Sequence, residues 1–223
     1  METTSIAKRL ILNPISKIIP EDYLRDNKTV ETLILKEGFT EIGICVFSGC
    51  TNLKRVHLPN SLEIIKYRAF SNCGSLPKIE IPNKVKTIGK YTFYDCESLT
   101  EIEISDKVKT IGACAFYDCK SLTKIEMPES LEIIEEFAFY SCEKLKEIEI
   151  PKSVKTIGDY AFAQCTSLPK IEISNNVETI GDYAFSYCIN LKEIIIDNTE
   201  EYVKQNWSKA WHYTCGAKTT YLR

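Results

Sequence analysis

Ten cysteines, two histidines and a series of regularly spaced glutamates are the residues of this 223-residue chain that could do chemistry. Zinc sites typically contain closely spaced cysteine pairs, and no two cysteines of this sequence are two to four positions apart; the nearest, Cys45/Cys50 and Cys114/Cys119, are five apart. Seven cysteines instead recur every 23 residues at an apolar position, which is typical of buried, reduced thiols. Each follows a repeated phenylalanine by three positions. These cysteines, here called the cysteine column, are Cys50, Cys73, Cys96, Cys119, Cys142, Cys165 and Cys188.

Three further cysteines stand outside that column. Cys45 and Cys114 lie two residues before the repeat phenylalanine, where other copies carry an aromatic residue such as Tyr91 or Tyr160. We therefore expect both to substitute in a packing column. Cys215 has no counterpart at the 23-residue spacing, and the sequence predicts that it is exposed and the first thiol to react.

The histidines do not support catalysis. The two histidines, His57 and His212, have no equivalent histidine in other repeats. Neither has an acidic residue at the spacing of a Cys–His catalytic arrangement. The sequence contains no glycine-rich phosphate loop, paired-histidine metal motif or nucleophile elbow. We expect no enzymatic activity, no cofactor and no bound metal.

The elements that must position these residues come from one unit, V-x-x-I-G-x-x-A-F-x-x-C-x-x-L-x-x-I-x-I-P. Phe93, Cys96 and Leu99 are three apart, which suits short helical or 3₁₀ turns with one buried face. Ile102 and Ile104 are two apart, which suits a short strand with one inward face. A repeat of this length predicts a solenoid, because the apolar inside of each coil is covered only by its neighbours.

One domain with a cap at each end is expected. Residues 1–198 are predicted to form the solenoid. Within it, residues 7–35 form a degenerate N-terminal capping repeat, and residues 36–198 form seven regular repeats. The remaining residues, 199–223, are predicted to cap the C-terminal end.

The C-terminal cap is inferred because the 23-residue register is lost after Asp197. A short helix with acidic residues in its first turn is predicted over 199–207. A closing strand is predicted over 219–222. The aromatic residues expected to cover the last coil are Trp207, Trp211 and Tyr213.

The units resemble the BspA-like, or Treponema-type, leucine-rich repeats, which combine A-F-x-x-C with L-x-x-I-x-I-P at a 23-residue spacing. The resemblance is close over residues 30–196 and loose over 7–29. It implies a right-handed, curved solenoid with a parallel β-sheet on its concave face and short helical or 3₁₀ turns on its convex face. It also implies a family of surface proteins, mostly bacterial and protist, that adhere to host matrix or to other cells.

The outward strand positions carry two columns of charge. Neighbouring like charges at one strand spacing, ~4.8 Å, cost a few tenths to ~1 kcal/mol per pair. The lysines relieve only part of this repulsion, so we expect an acidic strip; single-file glutamates are poor calcium ligands. The first column is His57, Glu80, Glu103, Glu126, Glu149 and Glu172, and the column beside it is Arg55, Lys78, Glu101, Lys124, Glu147 and Lys170.

These columns admit two interpretations. They form either an ordinary solvated face or a strip that recruits a basic protein segment. A second set, Tyr94, Tyr117 and Tyr140, directly follows the repeat phenylalanine. We expect those tyrosines to pack on one another and shield the turns, although aromatic residues in register can also anchor a partner.

Composition narrows the partners. The formal net charge is −3 with both signs interspersed, which leaves no basic field for a nucleic acid. The apolar runs are too short for membrane insertion. The first 19 residues lack the apolar core of a signal peptide. The resemblance therefore predicts a cell-surface or secreted protein whose signal has been removed, and a cytoplasmic protein is the alternative.

These observations predict a non-enzymatic, monomeric recognition or adhesion module that binds a protein or peptide on its concave face. The partner is expected to be a basic segment or a host extracellular-matrix protein. The alternative is a passive spacer within a larger surface adhesin.

Overall fold

The computed structural model describes residues 2–6 by their backbone and residues 8–223 in full. Each coil of the chain contributes two short strands, and equivalent strands of successive coils lie side by side. The solenoid predicted from the repeat is confirmed, with about nine coils in the described chain.

The first row contains the strands that end each leucine–isoleucine segment. They are β2 (Arg9–Asn13), β4 (Thr32–Leu35), β6 (Arg55–His57), β8 (Lys78–Glu80), β10 (Glu101–Glu103), β12 (Lys124–Ile125), β14 (Glu147–Ile148), β16 (Lys170–Ile173) and β18 (Glu193–Ile196). Neighbours are parallel and in register at 23 residues, as in the pairing of Ile79 with Ile102. Hydrogen bonding divides the row into several short sheets rather than one continuous sheet.

A second row of two-residue strands runs along another side of the coil. It contains β3 (Ile18–Ile19), β5 (Glu41–Ile42), β7 (Ile64–Ile65), β9 (Thr87–Ile88), β11 (Thr110–Ile111), β13 (Ile133–Ile134), β15 (Thr156–Ile157) and β17 (Thr179–Ile180). One residue of each pair is buried and the other faces outward, as in a strand with one inward face. The unit sequence alone did not indicate this second row.

The core is a set of ladders that run along the solenoid axis. Rings of the repeat phenylalanines stack on their neighbours, with centroids 5.1–5.8 Å apart. The thiols of the cysteine column form a second ladder: the Cys96 thiol donates to the Phe70 carbonyl oxygen of the preceding coil at 3.2 Å. Because every inward side chain meets its own equivalent, stacking supplies the apolar cover that one coil lacks.

The segments around each phenylalanine are hydrogen-bonded turns rather than regular helices. Each turn contains two residues with positive φ: one lies two positions before the phenylalanine, and the other lies two positions after it. Around Phe93 these are Tyr91 (φ 58°) and Asp95 (φ 56°). This backbone lets amide groups alternate between bonds within the turn and bonds to the next coil, as when the Phe93 amide donates to the Ala115 carbonyl oxygen at 2.8 Å.

Both ends of the first row carry an additional strand. At the N-terminal end, β1 (Glu2–Ile6) pairs antiparallel with β2. The predicted capping repeat over 7–35 includes residue 7, which lies outside the described residues. At the C-terminal end, β19 (Lys218–Tyr221) pairs parallel with β18, close to the predicted closing strand.

The predicted C-terminal helix is present as α1 (Glu200–Asn206), with Glu200 and Glu201 in its first turn. The Thr199 hydroxyl oxygen accepts a hydrogen bond from the Tyr202 amide and so caps the helix. Trp211 packs edge-on against Phe185, with centroids 6.0 Å apart. The predicted lid therefore contains Trp211, which is buried.

Two expectations for this end were wrong. Cys215 is buried rather than exposed, with 6% of its surface accessible, because it belongs to a further coil whose turn covers it. Tyr213 is 61% exposed and only its edge meets Tyr183. Tyr213 therefore contributes little to covering the last coil.

Candidate protein-binding face

The first-row strands place all twelve charged candidates on one exposed surface, here called the strand face. Their side chains alternate with inward isoleucines, because successive residues of a strand point to opposite sides. Glu80 lies opposite Glu103, and Glu103 opposite Glu126, on neighbouring parallel strands. The exposed candidates are Arg55, His57, Lys78, Glu80, Glu101, Glu103, Lys124, Glu126, Glu147, Glu149, Lys170 and Glu172.

The alternating column brings opposite charges directly together. Lys78 lies opposite Glu101, and Lys124 lies opposite Glu147. Opposite charges on neighbouring strands attract each other. The register therefore offsets part of the repulsion within the glutamate column.

Each strand-face lysine forms an ion pair with a glutamate of the first column. The Lys124 ammonium lies 3.2 Å from a Glu126 carboxylate oxygen, and Lys170 lies 2.7 Å from Glu172. Lys78 contacts both Glu103 and Glu101. A hydrogen bond to Glu103 is the main cause that raises the pKa of Lys78, and bonds to Glu126 and Glu172 do the same for Lys124 and Lys170.

Pairing leaves the face unevenly charged. Within the described residues, Glu80, Glu147 and Glu149 form no ion pair. All three carboxylates are solvent-exposed and accessible to an incoming group. The positively charged Arg55 lies on β6, one coil before Glu80, at the N-terminal end of the strand face.

Two shallow grooves cross the strand face. One of about 740 Å³ lies over β10 and β12, and another of about 920 Å³ extends from β12 to β16. They share Lys124, Glu126, Met127 and Glu129 as lining residues. The half-buried, apolar Met127 lies beside the carboxylates, so the surface offers some hydrophobic contact together with charge.

The potential metal-binding side chains are not clustered in the part of the chain that the structure describes. Within residues 8–223, no group of three histidine, cysteine, aspartate or glutamate side chains is arranged to hold a metal ion. His57 is exposed on β6, whereas His212 stacks on Trp211 at 4.2 Å. Burial lowers the pKa of His212. The two histidines thus lie on different parts of the surface.

The thiols of the cysteine column are buried and have raised pKa values. Burial raises the pKa of the Cys50 thiol to about 11, and those of Cys96 and Cys188 to about 12. All ten cysteines are free and buried, as predicted for the column. A thiol with so little thiolate is a poor nucleophile and a poor metal ligand.

The turns carry two aromatic columns. In the first, two residues before the repeat phenylalanine, Phe137 stacks on Tyr160 at 4.9 Å and Tyr160 stacks on Tyr183 at 5.0 Å. The second column is the predicted one: Tyr117 stacks between Tyr94 and Tyr140, at 5.0 and 4.7 Å. The expected mutual packing is confirmed, and every one of these rings remains partly exposed.

Comparison with known proteins places the repeat in a family. The family model for the BspA-type leucine-rich repeat region matches in six copies, over residues 17–120 and 86–210. No helix of the described chain combines the length and apolar character needed to cross a membrane. A search of the curated proteins gave no match.

Two solved structures are similar over most of the chain. A leucine-rich repeat protein from Bacteroides ovatus is 27% identical over 92% of this chain, with a TM-score of 0.73. This chain spans 58% of the length of that structure. A leucine-rich repeat protein of T. pallidum is 26% identical over 73% of this chain and 84% of its own, with a TM-score of 0.63.

Proposed function

This chain belongs to the BspA-type leucine-rich repeat family, and on that premise we propose that it is a non-enzymatic adhesion module that binds a basic segment of a protein partner on its strand face. Repeats of this family support a protein-interaction role. The observation that carries the proposal is the set of exposed carboxylates on adjacent strands, three of which have no lysine partner among the described residues.

Charge and shape together favour such a partner. Lysine or arginine side chains can meet Glu80, Glu147 and Glu149 without breaking an existing ion pair. The grooves beside Met127 accept the aliphatic stems of those side chains. Electrostatic complementarity of this kind accelerates association and weakens as salt is added. A host extracellular-matrix protein with basic segments, met at the cell surface, fits this chemistry.

A labelled peptide of alternating lysine and serine tests the proposal by fluorescence anisotropy at low and high salt. We expect saturable binding at low salt that weakens at high salt. The variant Glu80→Gln/Glu147→Gln/Glu149→Gln should bind about tenfold more weakly, a difference of about 1.4 kcal/mol.

The matched control removes the same charge elsewhere. Glu63→Gln/Glu143→Gln/Glu178→Gln changes three exposed glutamates away from the strand face. The control should bind the peptide as the unmodified protein does. If both variants lost peptide affinity equally, the effect would be due to net charge rather than to the strand face. If neither the unmodified protein nor the variants bound the peptide, the passive-spacer interpretation would be favoured.

A further inference from the structure

Between Tyr91 and Tyr183, the first aromatic column is interrupted at one coil. Cys114 stands where the neighbouring coils carry Tyr91 and Phe137, and small Ala113 precedes it. Tyr91 and Phe137 are two coils apart, or about 10 Å at one strand spacing per coil. Stacked rings within this column are 4.9–5.0 Å apart, so the interval matches the thickness of one additional ring.

The interruption opens a pocket of about 510 Å³ on the turn side of the solenoid. Its walls are the rings of Tyr91, Tyr94, Tyr117 and Phe137, and Cys114 is 7% exposed within it. Interaction with the nearby Cys114 thiol, followed by burial, raises the pKa of Tyr91. The walls are thus mostly aromatic: Tyr94 and Tyr117 stack on each other, Phe137 stacks on Tyr160, and Tyr91 meets Tyr67 edge-on.

Arg68 supplies a positive charge to this pocket. Its guanidinium carbon lies 5.1 Å from the Tyr67 ring centroid and 4.9 Å from that of Tyr91, which are cation–π distances. No carboxylate among the described residues forms an ion pair with it, and its Nε is buried without a hydrogen-bond acceptor. Because Arg68 lines the pocket and has no carboxylate partner among the described residues, its guanidinium can pair with a carboxylate that enters the pocket.

Charged residues make the two sides of the pocket electrostatically different. Asp95 and Asp118 lie near Tyr94 and Tyr117; burial, followed by the negative charges of Asp118 and Asp95, raises the pKa of Tyr94. A ligand carboxylate is repelled from that side and attracted to Arg68, beside which Asn72 offers a further polar group. Aromatic rings on several sides favour an aromatic group, which can stack on them or meet them edge-on.

We propose that this pocket binds an aromatic side chain of a protein partner, together with a carboxylate next to that side chain in the partner's sequence. The ring completes the interrupted column between Tyr91 and Phe137, and the carboxylate pairs with Arg68. The site lies on the turns and not on the strand face, so it would engage an acidic–aromatic segment rather than a basic one.

The test uses a blocked peptide that contains the pair Asp-Phe, with Asp-Leu and Lys-Phe peptides as comparisons. Chemical-shift changes in the isotope-labelled protein would measure binding. We expect the Asp-Phe peptide to shift the resonances of residues around Cys114 and to bind about tenfold more tightly than either comparison. Bound peptide should also slow alkylation of Cys114 and leave Cys45 unaffected.

Two variants locate the site. Cys114→Tyr adds the missing ring and should abolish binding, and the fold accepts tyrosine at this backbone position because Tyr91 and Tyr160 already occupy it with φ of 58° and 53°. Cys45→Tyr makes the same change at the equivalent position of another coil (φ 53°) and should bind normally. Arg68→Gln should remove the difference between the Asp-Phe and Lys-Phe peptides.

Three results would overturn the proposal. They are unchanged binding by the Cys114→Tyr variant, equal binding of the Asp-Phe and Lys-Phe peptides by the unmodified protein, and no binding of the Asp-Phe peptide while a uronic acid binds. None of these results bears on the lysine–serine peptide and the strand face, so the two proposals can fail separately.

Discussion

In the last coil, Cys215 takes the place that Cys188 holds one coil earlier, although 27 residues separate them rather than 23. The residues before them, Thr214 and Tyr187, share a left-handed backbone with φ of 66° and 57°. The Cys215 amide donates to the His212 carbonyl oxygen at 3.2 Å, as the Cys165 amide does to Phe162 at 3.3 Å. The register therefore resumes after four extra residues in the segment that contains α1.

This relationship changes the expected order of thiol reactivity. Cys45 and Cys114 are each 7% exposed, whereas the cysteine column is at most 1% exposed. We expect these two to alkylate before the column because they are more exposed. Cys215 is 6% exposed, and burial raises the pKa of all three thiols, so we expect Cys215 to react no faster than Cys45 and Cys114. Mass spectrometry after timed labelling measures the order, and rapid labelling of Cys215 ahead of both would contradict it.

Removal of residues 199–223 should expose Phe185, which is fully buried beneath Trp211. An uncovered apolar end and the unpaired edge of β18 favour association. We expect the shortened chain to melt at a lower temperature and to self-associate in light scattering. A shortened chain that stays monomeric and melts like the full chain would show that this segment does not act as a cap.

Single substitutions refine that prediction. Trp211→Ala should lower the free energy of unfolding by about 3–5 kcal/mol, since it removes a large buried ring. Tyr213→Ala, at a 61% exposed position, is the matched control and should change it by less than about 1 kcal/mol. Urea denaturation distinguishes them, and equal losses would place Tyr213 in the lid.

The left-handed turn residues predict an unusual tolerance of glycine. Asp118 has φ of 56°, a conformation that costs an ordinary L-residue about 1–2 kcal/mol. Asp118→Gly should leave stability unchanged or raise it slightly, whereas Asp118→Val should lower it by about 1–3 kcal/mol. Lys144→Val, an exposed turn position without positive φ, is the control for the valine side chain. Denaturant titration that ranks valine above glycine at 118 would contradict the assignment.

Asp95 predicts a pH dependence with a definite sign. Burial, followed by the charges of Glu97 and Asp118, raises its pKa above the ordinary 3.8. The ionised form is therefore disfavoured in the folded state, and the folded state loses stability as pH rises through that range. Asp95→Asn should raise the melting temperature near neutral pH, by no more than a few degrees, and should have little effect well below pH 3.8.

Two features make that substitution interpretable. Asn72 already occupies the same position of the preceding coil with φ of 56°, so asparagine fits the backbone. Asp106→Asn, at an exposed position in the turn after β10, controls for the change in net charge. A stabilisation by Asp95→Asn that is equally large in acid would assign the effect to backbone preference instead of ionisation.

The strand face shows how far a repeated pattern can be interpreted. Glu80, Glu103 and Glu126 face outward because each lies beside an inward isoleucine in every copy, and this placement followed from spacing. Their pairing did not, since Lys78 reaches across to Glu103 of the next strand whereas Lys124 pairs with Glu126 of its own. Long side chains select among several carboxylates, and that selection depends on the twist and separation of particular strands.

The sequence by itself determined the solenoid, the buried phenylalanine and cysteine ladders and the outward glutamates, because seven copies repeat the same apolar and charged positions and each equivalent must stack on the next. Only the tertiary structure decided the second row of strands, the left-handed turns, the resumed register at Cys215 and the aromatic pocket at Cys114. The physical reason is that hydrogen bonds between coils, and not the preferences of the residues within one coil, set the turn backbone. A feature that occurs in one coil alone, such as Cys114 between Tyr91 and Phe137, can be interpreted only when the side chains of the neighbouring coils are known.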